Sequence, residues 1–194
     1  MSAATASDAS DEALMARLRG GDDGALAPLM ARWEVPMKRY LARVVQNAHE
    51  AEELAQETFV RLYQHRDRFR EGARFSPWLY AIAANLARNR LRWWRRRPAV
   101  SLEAWTEFGG EAADEGNAGR AGSGALEQRE RAEAVREAVA ALPAELREAL
   151  VLCEYEGLAQ AEAAEALGIT PKAVEMRLYR ARAGLRNRLQ RWLA

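Results

Sequence analysis

The stretch QAEAAEALGITPKAVEMRLYRARAGLR, from Gln160 to Arg186, leaves the chain little choice of geometry. Ala164 is followed four positions later by Gly168 and six after that by Val174. Two helices that cross steeply need a side chain no larger than a methyl group where they touch. They also need a glycine for the left-handed turn and an aliphatic residue that locks the second helix onto the first. Thr170 can cap that second helix, with Pro171 at its first position, where a missing N–H costs nothing. Val174, Leu178, Ala181, Leu185, Leu189 and Trp192 recur at helical spacing as a buried stripe, and Lys172, Glu175, Met176, Arg177 and Arg180 lie off it. An ordinary helical hairpin with solvated arginines is the alternative. The steric triplet together with a capped, basic second helix favours a helix-turn-helix that reads DNA.

The remainder of the 194 residues is also patterned for helices, so the fold class is all-α, with two small domains. Residues 1–9 are small and polar, an expected disordered lead-in. A first helical domain spans 10–98, punctuated by RGGDDG, QNAHE and REGARFSP. Residues 99–128 are Gly-rich, mostly acidic and without a helical stripe, which predicts a flexible tether. A second domain fills 129–194. The formal net charge is only +1, so any grip on a polyanion is local rather than spread over the protein. Cys153 is alone, no leader pattern opens the chain, and no apolar run approaches the roughly 20 residues of a membrane span, which together predict a cytoplasmic protein without membrane contact of its own. His49, His65 and Cys153 form no metal or nucleophile constellation, so neither enzyme activity nor a cofactor is expected.

Two helices of the first domain carry unusual outer faces. Along AEELAQETFVRLYQH, Ala51, Leu54, Ala55, Thr58, Phe59 and Leu62 face one way, and Glu53, Gln56, Glu57, Val60 and Gln64 the other. Farther on, Ser76 is placed to cap and Pro77 to open a helix whose inward residues are Leu79, Ile82, Ala83 and Leu86. Its opposite side holds Asn85, Arg88, Asn89, Arg92 and Arg96 and ends beside Trp93 and Trp94. Arginine forks suit phosphates, asparagine suits base edges and an aromatic plane stacks an unpaired base, so a nucleic-acid face is favoured over a solvated one. A membrane-surface helix is disfavoured, because its apolar stripe is needed to close the core.

Taken in order, AEELAQETFVRLY, FSPWLYAIAANLARNRL and YEGLAQAEAAEALGITPKAVEMRLYRARAGLR resemble the extracytoplasmic-function (ECF) sigma factors of bacterial RNA polymerase. The resemblance implies that the first domain docks on the clamp helices of the core polymerase through Glu53, Gln56, Glu57, Phe59 and Val60. It implies that the same domain melts and reads the minus-10 promoter element. Arg74, Phe75, Ser76 and Trp78 would border a pocket for a flipped-out base, while Asn85, Arg88, Asn89, Arg92, Trp93 and Arg96 would follow the separated strand. The last domain would bind the polymerase flap and read the minus-35 element through Thr170, Pro171, Lys172, Ala173, Glu175, Met176, Arg177 and Arg180. The tether would thread the polymerase's basic channel, and a separate anti-sigma protein would be the regulator. This chain departs from the usual family pattern at Ala159–Ala164, where AQAEAA replaces SYEEIA, and at Glu175 and Met176, where many members carry a basic residue and a serine. The reading from another class is a stand-alone helix-turn-helix regulator, which needs a dimer surface that the sequence does not supply.

Overall fold

The computed structural model describes residues 9–96 and 123–193, and every regular element among them is helical. The lead-in before Ala9, residues 97–98 at the end of the first domain and residues 99–122 of the expected tether lie outside the described residues.

In the first domain, α1 (Asp11–Arg19) starts at the Ser10 hydroxyl, which accepts from the Ala13 N–H at 3.2 Å. The Asp11 carboxylate then accepts from Trp33 Nε1 at 2.9 Å and Arg32 Nη1 at 2.8 Å, fastening α1 to α2 (Leu26–Val45). Pro36 sits inside α2 and forfeits one backbone hydrogen bond. The helix continues past it because Met37, Tyr40, Leu41, Val44 and Val45 are all buried immediately downstream. Asn47 caps α3 (Ala48–Gln64), its side chain accepting from Glu50 N–H at 2.9 Å, and all six residues assigned to the inner face of α3 are buried.

The fourth helix, α4 (Phe75–Arg96), corrects two expectations. Ser76 lies inside it rather than capping it, because the helix begins one residue earlier and the Phe75 N–H is held by Glu12 Oε1 of α1 at 3.0 Å. That long-range hydrogen bond satisfies an otherwise orphaned helix-start donor and holds the Glu12 carboxyl below its ordinary range. The buried side of α4 is also wider than one domain core requires. Leu79 and Ala83 are buried as expected, but Ile82 and Leu86 are only half-buried, whereas Tyr80, Ala84 and Ala87 are fully covered.

The second domain begins earlier than its composition suggested. Helix α5 (Ser123–Ala140) reaches back into the stretch assigned to the tether, since Ala, Leu, Glu, Gln and Arg outweigh the glycine at 124 and Glu127–Arg131 form an (i, i+4) pair. Then come α6 (Ala144–Leu150), a widened π turn over Val151–Tyr155, α7 (Gln160–Leu167), α8 (Pro171–Arg188) and the short α9 (Gln190–Leu193).

The two domains share one continuous apolar cluster, in which α7 packs along α4. Arg147 of α6 is 7% exposed, and its Nε and Nη2 donate to the Val44 carbonyl at the end of α2, at 3.1 and 2.8 Å. Its Nη1 donates to Ala140 and Leu142 carbonyls at 2.6 and 3.2 Å within its own domain. Next to it Glu148 is 1% exposed, and burial pushes its carboxyl up to about 7 despite Arg88, Arg177 and Arg147 nearby, with Glu145 pushing the same way as burial. Tyr40 of α2 also faces Glu148, and its hydroxyl is kept protonated by complete burial.

Two consequences follow for stability. Glu12→Ala is expected to cost about 0.5–2 kcal/mol, as other lost helix caps do, and Glu12→Gln less because an acceptor remains; thermal unfolding measures both. Because the Glu148 carboxyl holds its proton more tightly folded than unfolded, it contributes stability in full below the ordinary carboxylate range, and that contribution fades as pH rises through about 7. Glu156, also raised mainly by burial, acts in the same direction. The melting temperature is expected to fall between about pH 5 and 8, and Glu148→Gln should flatten that slope.

Candidate nucleic-acid interface

Three surfaces carry the residues singled out from the sequence. The first is a groove of about 740 Å³ between α2 and α3. Phe59, 4% exposed, is core rather than free surface and contributes to the groove wall from below. Val60 at 48% and Met30 at 37% exposure present apolar surface at its rim, with Gln56 and Gln64 beside them. Leu26, Met30 and Tyr63 line this groove without having been singled out; the signal available was an exposed methionine on the amphipathic α2. On the same helix Glu53 is exposed and Glu57 half-buried, neither of them lining the groove. Glu57 accepts from Arg61 Nε at 2.6 Å, and Glu53 lies 3.4 Å from His49 and 3.6 Å from Arg90. Arg90 also pairs with Glu50, so the acidic side of α3 is stitched to α4 at one edge.

The second surface is the outer side of α4. Asn85, Asn89, Arg92 and Arg96 are exposed, and Trp93 is 40% exposed. Each asparagine holds the arginine one turn below it: Arg88 Nη2 donates to Asn85 Oδ1 at 2.5 Å, and Arg92 Nη2 to Asn89 Oδ1. A guanidinium has five N–H donors, so either arginine retains donors for a phosphate while its position is held. Arg88 spends one of them differently, donating from Nη1 to the Leu167 carbonyl of α7 at 2.8 Å. At the start of α4 the loop turns at Gly72, with φ +77°, and exposes Arg74, which pairs with Glu162 of α7. Trp78 is half-buried, its ring edge-on to Phe69 at 5.2 Å and tilted against Phe75 at 6.4 Å. Phe75 in turn meets Trp33 at 5.7 Å, so the loop rests on a connected aromatic cluster.

The third surface is the helix-turn-helix. Ala164 is 3% and Val174 0% exposed, and Gly168 takes φ +65°, ψ 36°, as the steep crossing demands. The Thr170 hydroxyl accepts from Ala173 N–H at 3.2 Å, with Pro171 in the first turn of α8. The replaced AQAEAA segment keeps half of a capping arrangement. Glu162 Oε2 accepts from the Ala159 N–H at 2.8 Å, while alanine has no oxygen to return the bond. Val174, Leu178 and Ala181 are buried, and Leu185, Leu189 and Trp192 only partly so. Off this stripe Thr170, Pro171, Lys172, Glu175, Met176 and Arg180 are exposed, whereas Ala173 and Arg177 are half-buried, with Arg177 Nη2 3.6 Å from Glu145. Lys172 Nζ donates to both Glu175 oxygens, at 2.7 and 2.9 Å.

Among the described residues no group of three or more His, Cys, Asp or Glu side chains is placed to hold a metal ion, and no helix is long and apolar enough to cross a membrane. Cys153 is half-buried, and burial pushes its thiol up, away from the reactive thiolate.

Residues 29–97 match the family described as sigma-70 region 2, and residues 132–185 the one described as sigma-70 region 4. The RNA polymerase sigma-H factor of Pseudomonas aeruginosa is 32% identical over 93% of this chain and 94% of its own length. The ECF RNA polymerase sigma factor SigW of Bacillus subtilis is 30% identical over 90% and 94%. Among solved structures, that of CnrH in complex with the cytosolic domain of CnrY contains a chain with a TM-score of 0.64 to this one at 28% identity, covering 93% of this chain and 97% of that one.

Proposed function

This chain belongs to the ECF sigma factors of bacterial RNA polymerase, the subunits that bind core polymerase and direct it to promoter DNA, and from that premise we propose how its surfaces divide the work. The groove between α2 and α3 takes the clamp helices, with Val60 and Met30 entering an apolar contact and Gln56 a polar one, and with Glu57 and Glu53 engaging the clamp from beside the groove. Phe59 acts from beneath by holding α3 in place. The observation that carries this reading is the opposed faces of α3, every inner residue buried while Gln56, Val60 and Gln64 of its outer face line an open groove against α2. A stand-alone regulator would leave both the groove and the region 2 match without a role.

On α4, Arg88, Arg92 and Arg96 hold phosphates of the separated strand. Asn85 and Asn89 position the first two and offer amide groups to base edges. Arg74, Phe75, Ser76 and Trp78 border the site for an extruded base, whose unstacking costs a few kcal/mol that polymerase binding helps supply. Phe75 and Ser76 shape that site through the backbone at the helix start, since Phe75 is fully buried. In the second domain α8 enters the major groove at the minus-35 element. Thr170, Pro171 and Ala173 set its first turn, Lys172, Glu175 and Met176 face bases, and Arg177 and Arg180 hold phosphates. The protein acts in the cytoplasm, where polymerase and promoter DNA are, catalyses no reaction of its own, and is controlled by a separate anti-sigma protein.

Replacing both Gln56 and Glu57 with arginine tests the groove. Stability should change by about 1 kcal/mol at most, since Glu57→Arg ends the surface pair with Arg61 and sets like charges four residues apart, while capture of core polymerase falls sharply. Unchanged capture of a folded variant would remove the docking assignment.

Glu175 offers a finer test. The cytosine amine is the groove donor that suits a carboxylate. The exposed Lys172–Glu175 pair is worth less than about 1 kcal/mol, so each partner is free to turn to a base. Glu175→Gln is expected to shift preference at a single minus-35 position by about 1–3 kcal/mol, read from transcription across a promoter library randomised over that element. If the substitution scales all promoters equally, Glu175 reads no base.

A further inference from the structure

The loop before α4, assigned to a flipped-out base, is held at both ends by one helix. Arg19 Nη1 of α1 donates to the Phe69 carbonyl at 3.0 Å, and Glu12 Oε1 of α1 accepts from the Phe75 N–H, also at 3.0 Å. The two holding residues stand two turns apart along one side of α1, about 10 Å by helix rise. Between the held ends Arg70, Glu71, Gly72 and Arg74 are exposed. Ala73 is half-buried, and its N–H donates to the Arg70 carbonyl at 3.1 Å across the turn. The Phe69 and Phe75 rings that close the loop lie 6.3 Å apart, whereas the extended chain between them would reach about 20 Å. The chain therefore bows outward, and the placement of its two ends sets the width of the bow.

We propose that Glu12 and Arg19 are positioning residues for base capture: without touching DNA, they fix the ends of the loop from Phe69 to Phe75 at the span that accepts one extruded base, and so set how strongly that base is held. The proposal rests on the reading of this loop as the base site. The core places the two phenylalanine rings, at 4% and 0% exposure, but a ring in its socket leaves the peptide beside it free to rotate. Bonds to the Phe69 carbonyl and the Phe75 N–H remove that rotation at the two points where the loop leaves the core. Neither holding residue fills the core itself. The apolar side of α1 is Leu14, Met15 and Leu18, all fully buried, while Glu12 and Arg19 are exposed residues whose side chains fold back onto the loop backbone. The helix is also a firm base, since Asp11 ties it to Trp33 and Arg32 of α2, and the Trp33 ring meets Phe75. A site that must seat a single base needs its walls held to within about 0.5 Å by groups outside the contact, and α1 supplies them.

The test uses the holoenzyme with core polymerase and a fork DNA made from a promoter of the randomised library. The fork is duplex through the minus-35 element and single-stranded on the non-template strand at minus-10, and each minus-10 base in turn is replaced by an abasic site. In the wild type one position should stand out, where loss of the base weakens binding by about tenfold, the worth of one base held against an aromatic wall. At that position Glu12→Ala and Arg19→Met should each cut the intact-to-abasic affinity ratio by about three- to tenfold, by weakening the intact fork and leaving the abasic one unchanged. A smaller folded fraction lowers both forks alike and leaves the ratio alone, so the ratio reads position rather than stability. Glu12→Gln and Arg19→Lys keep an acceptor and a donor for these single bonds. They should return the ratio to within about twofold of wild type, and they serve if the truncations do not fold. Capture of core polymerase should match wild type in all four variants. Glu12→Gln lowering the ratio as far as Glu12→Ala would mean that the carboxylate acts through its charge at the start of α4, which overturns positioning. A standout position that Trp78→Ala abolishes, and that neither truncation changes, overturns the role of α1 and leaves the reading of the loop intact. With no standout position in the wild type, or one indifferent to Trp78→Ala, the loop is not the base site and the proposal falls with it.

Discussion

The arrangement depends on a guanidinium enclosed between two domains. Arg147 is almost fully buried, yet its donors are spread over three backbone carbonyls, two of its own domain and one at the end of α2. A lysine ammonium could not reach three such acceptors in this fork, and burial would press it to discard its proton; arginine keeps its charge at any physiological pH. A buried charge satisfied by carbonyl dipoles tolerates enclosure, whereas the same charge with one partner withdrawn does not. The position of α6, and with it the rest of the second domain, is therefore tied to where α2 ends. The left-handed turn at Gln46, with φ 61°, sets that end.

Charge is segregated rather than abundant. A chain with net charge of +1 cannot attract DNA by its overall field, so each task rests on a local face. The acidic side of α3 and the arginines of α4 belong to neighbouring helices of one small domain, and the Arg90 pairs with Glu50 and Glu53 mark where the two signs meet. Within α4, asparagines one turn before Arg88 and Arg92 fix guanidinium positions without neutralising them, which a carboxylate at the same sites would have done. Aromatic packing under the loop before α4 gives that charged face a stiff base, because Phe69, Phe75, Trp78 and Trp33 meet edge to face or tilted rather than leaving the loop on polar contacts alone.

Several features were legible along the chain because each depends on residues within a few turns of one another. The Ala164, Gly168 and Val174 triplet, the Thr170 cap, and the inner face of α3 all follow from local sterics and helical period. The start of α4 was not legible. Its first N–H is met by Glu12, 63 residues away, and no local pattern announces so distant a partner. The start of α5 was obscured for the opposite reason, since glycines in the preceding stretch masked a run of good helix formers that begins within it. The groove beside α3 was half legible: Gln56, Val60 and Gln64 lie on its visible wall, but Leu26 and Met30 belong to α2 and join them only when the two helices pack.

By itself the sequence determined what near neighbours on one helix can decide: an all-helical chain, the steep crossing of a helix pair, and which side of each helix is charged. The tertiary structure alone decided how those sides are used. Tyr80, Ala84 and Arg88 look from the sequence like the flank of an exposed helix, yet they lie under α7, since a second domain with its own apolar surface and its own arginine found carbonyls and alanines there to meet. Helical period says which residues share a face, and only the packing of distant segments says what that face touches.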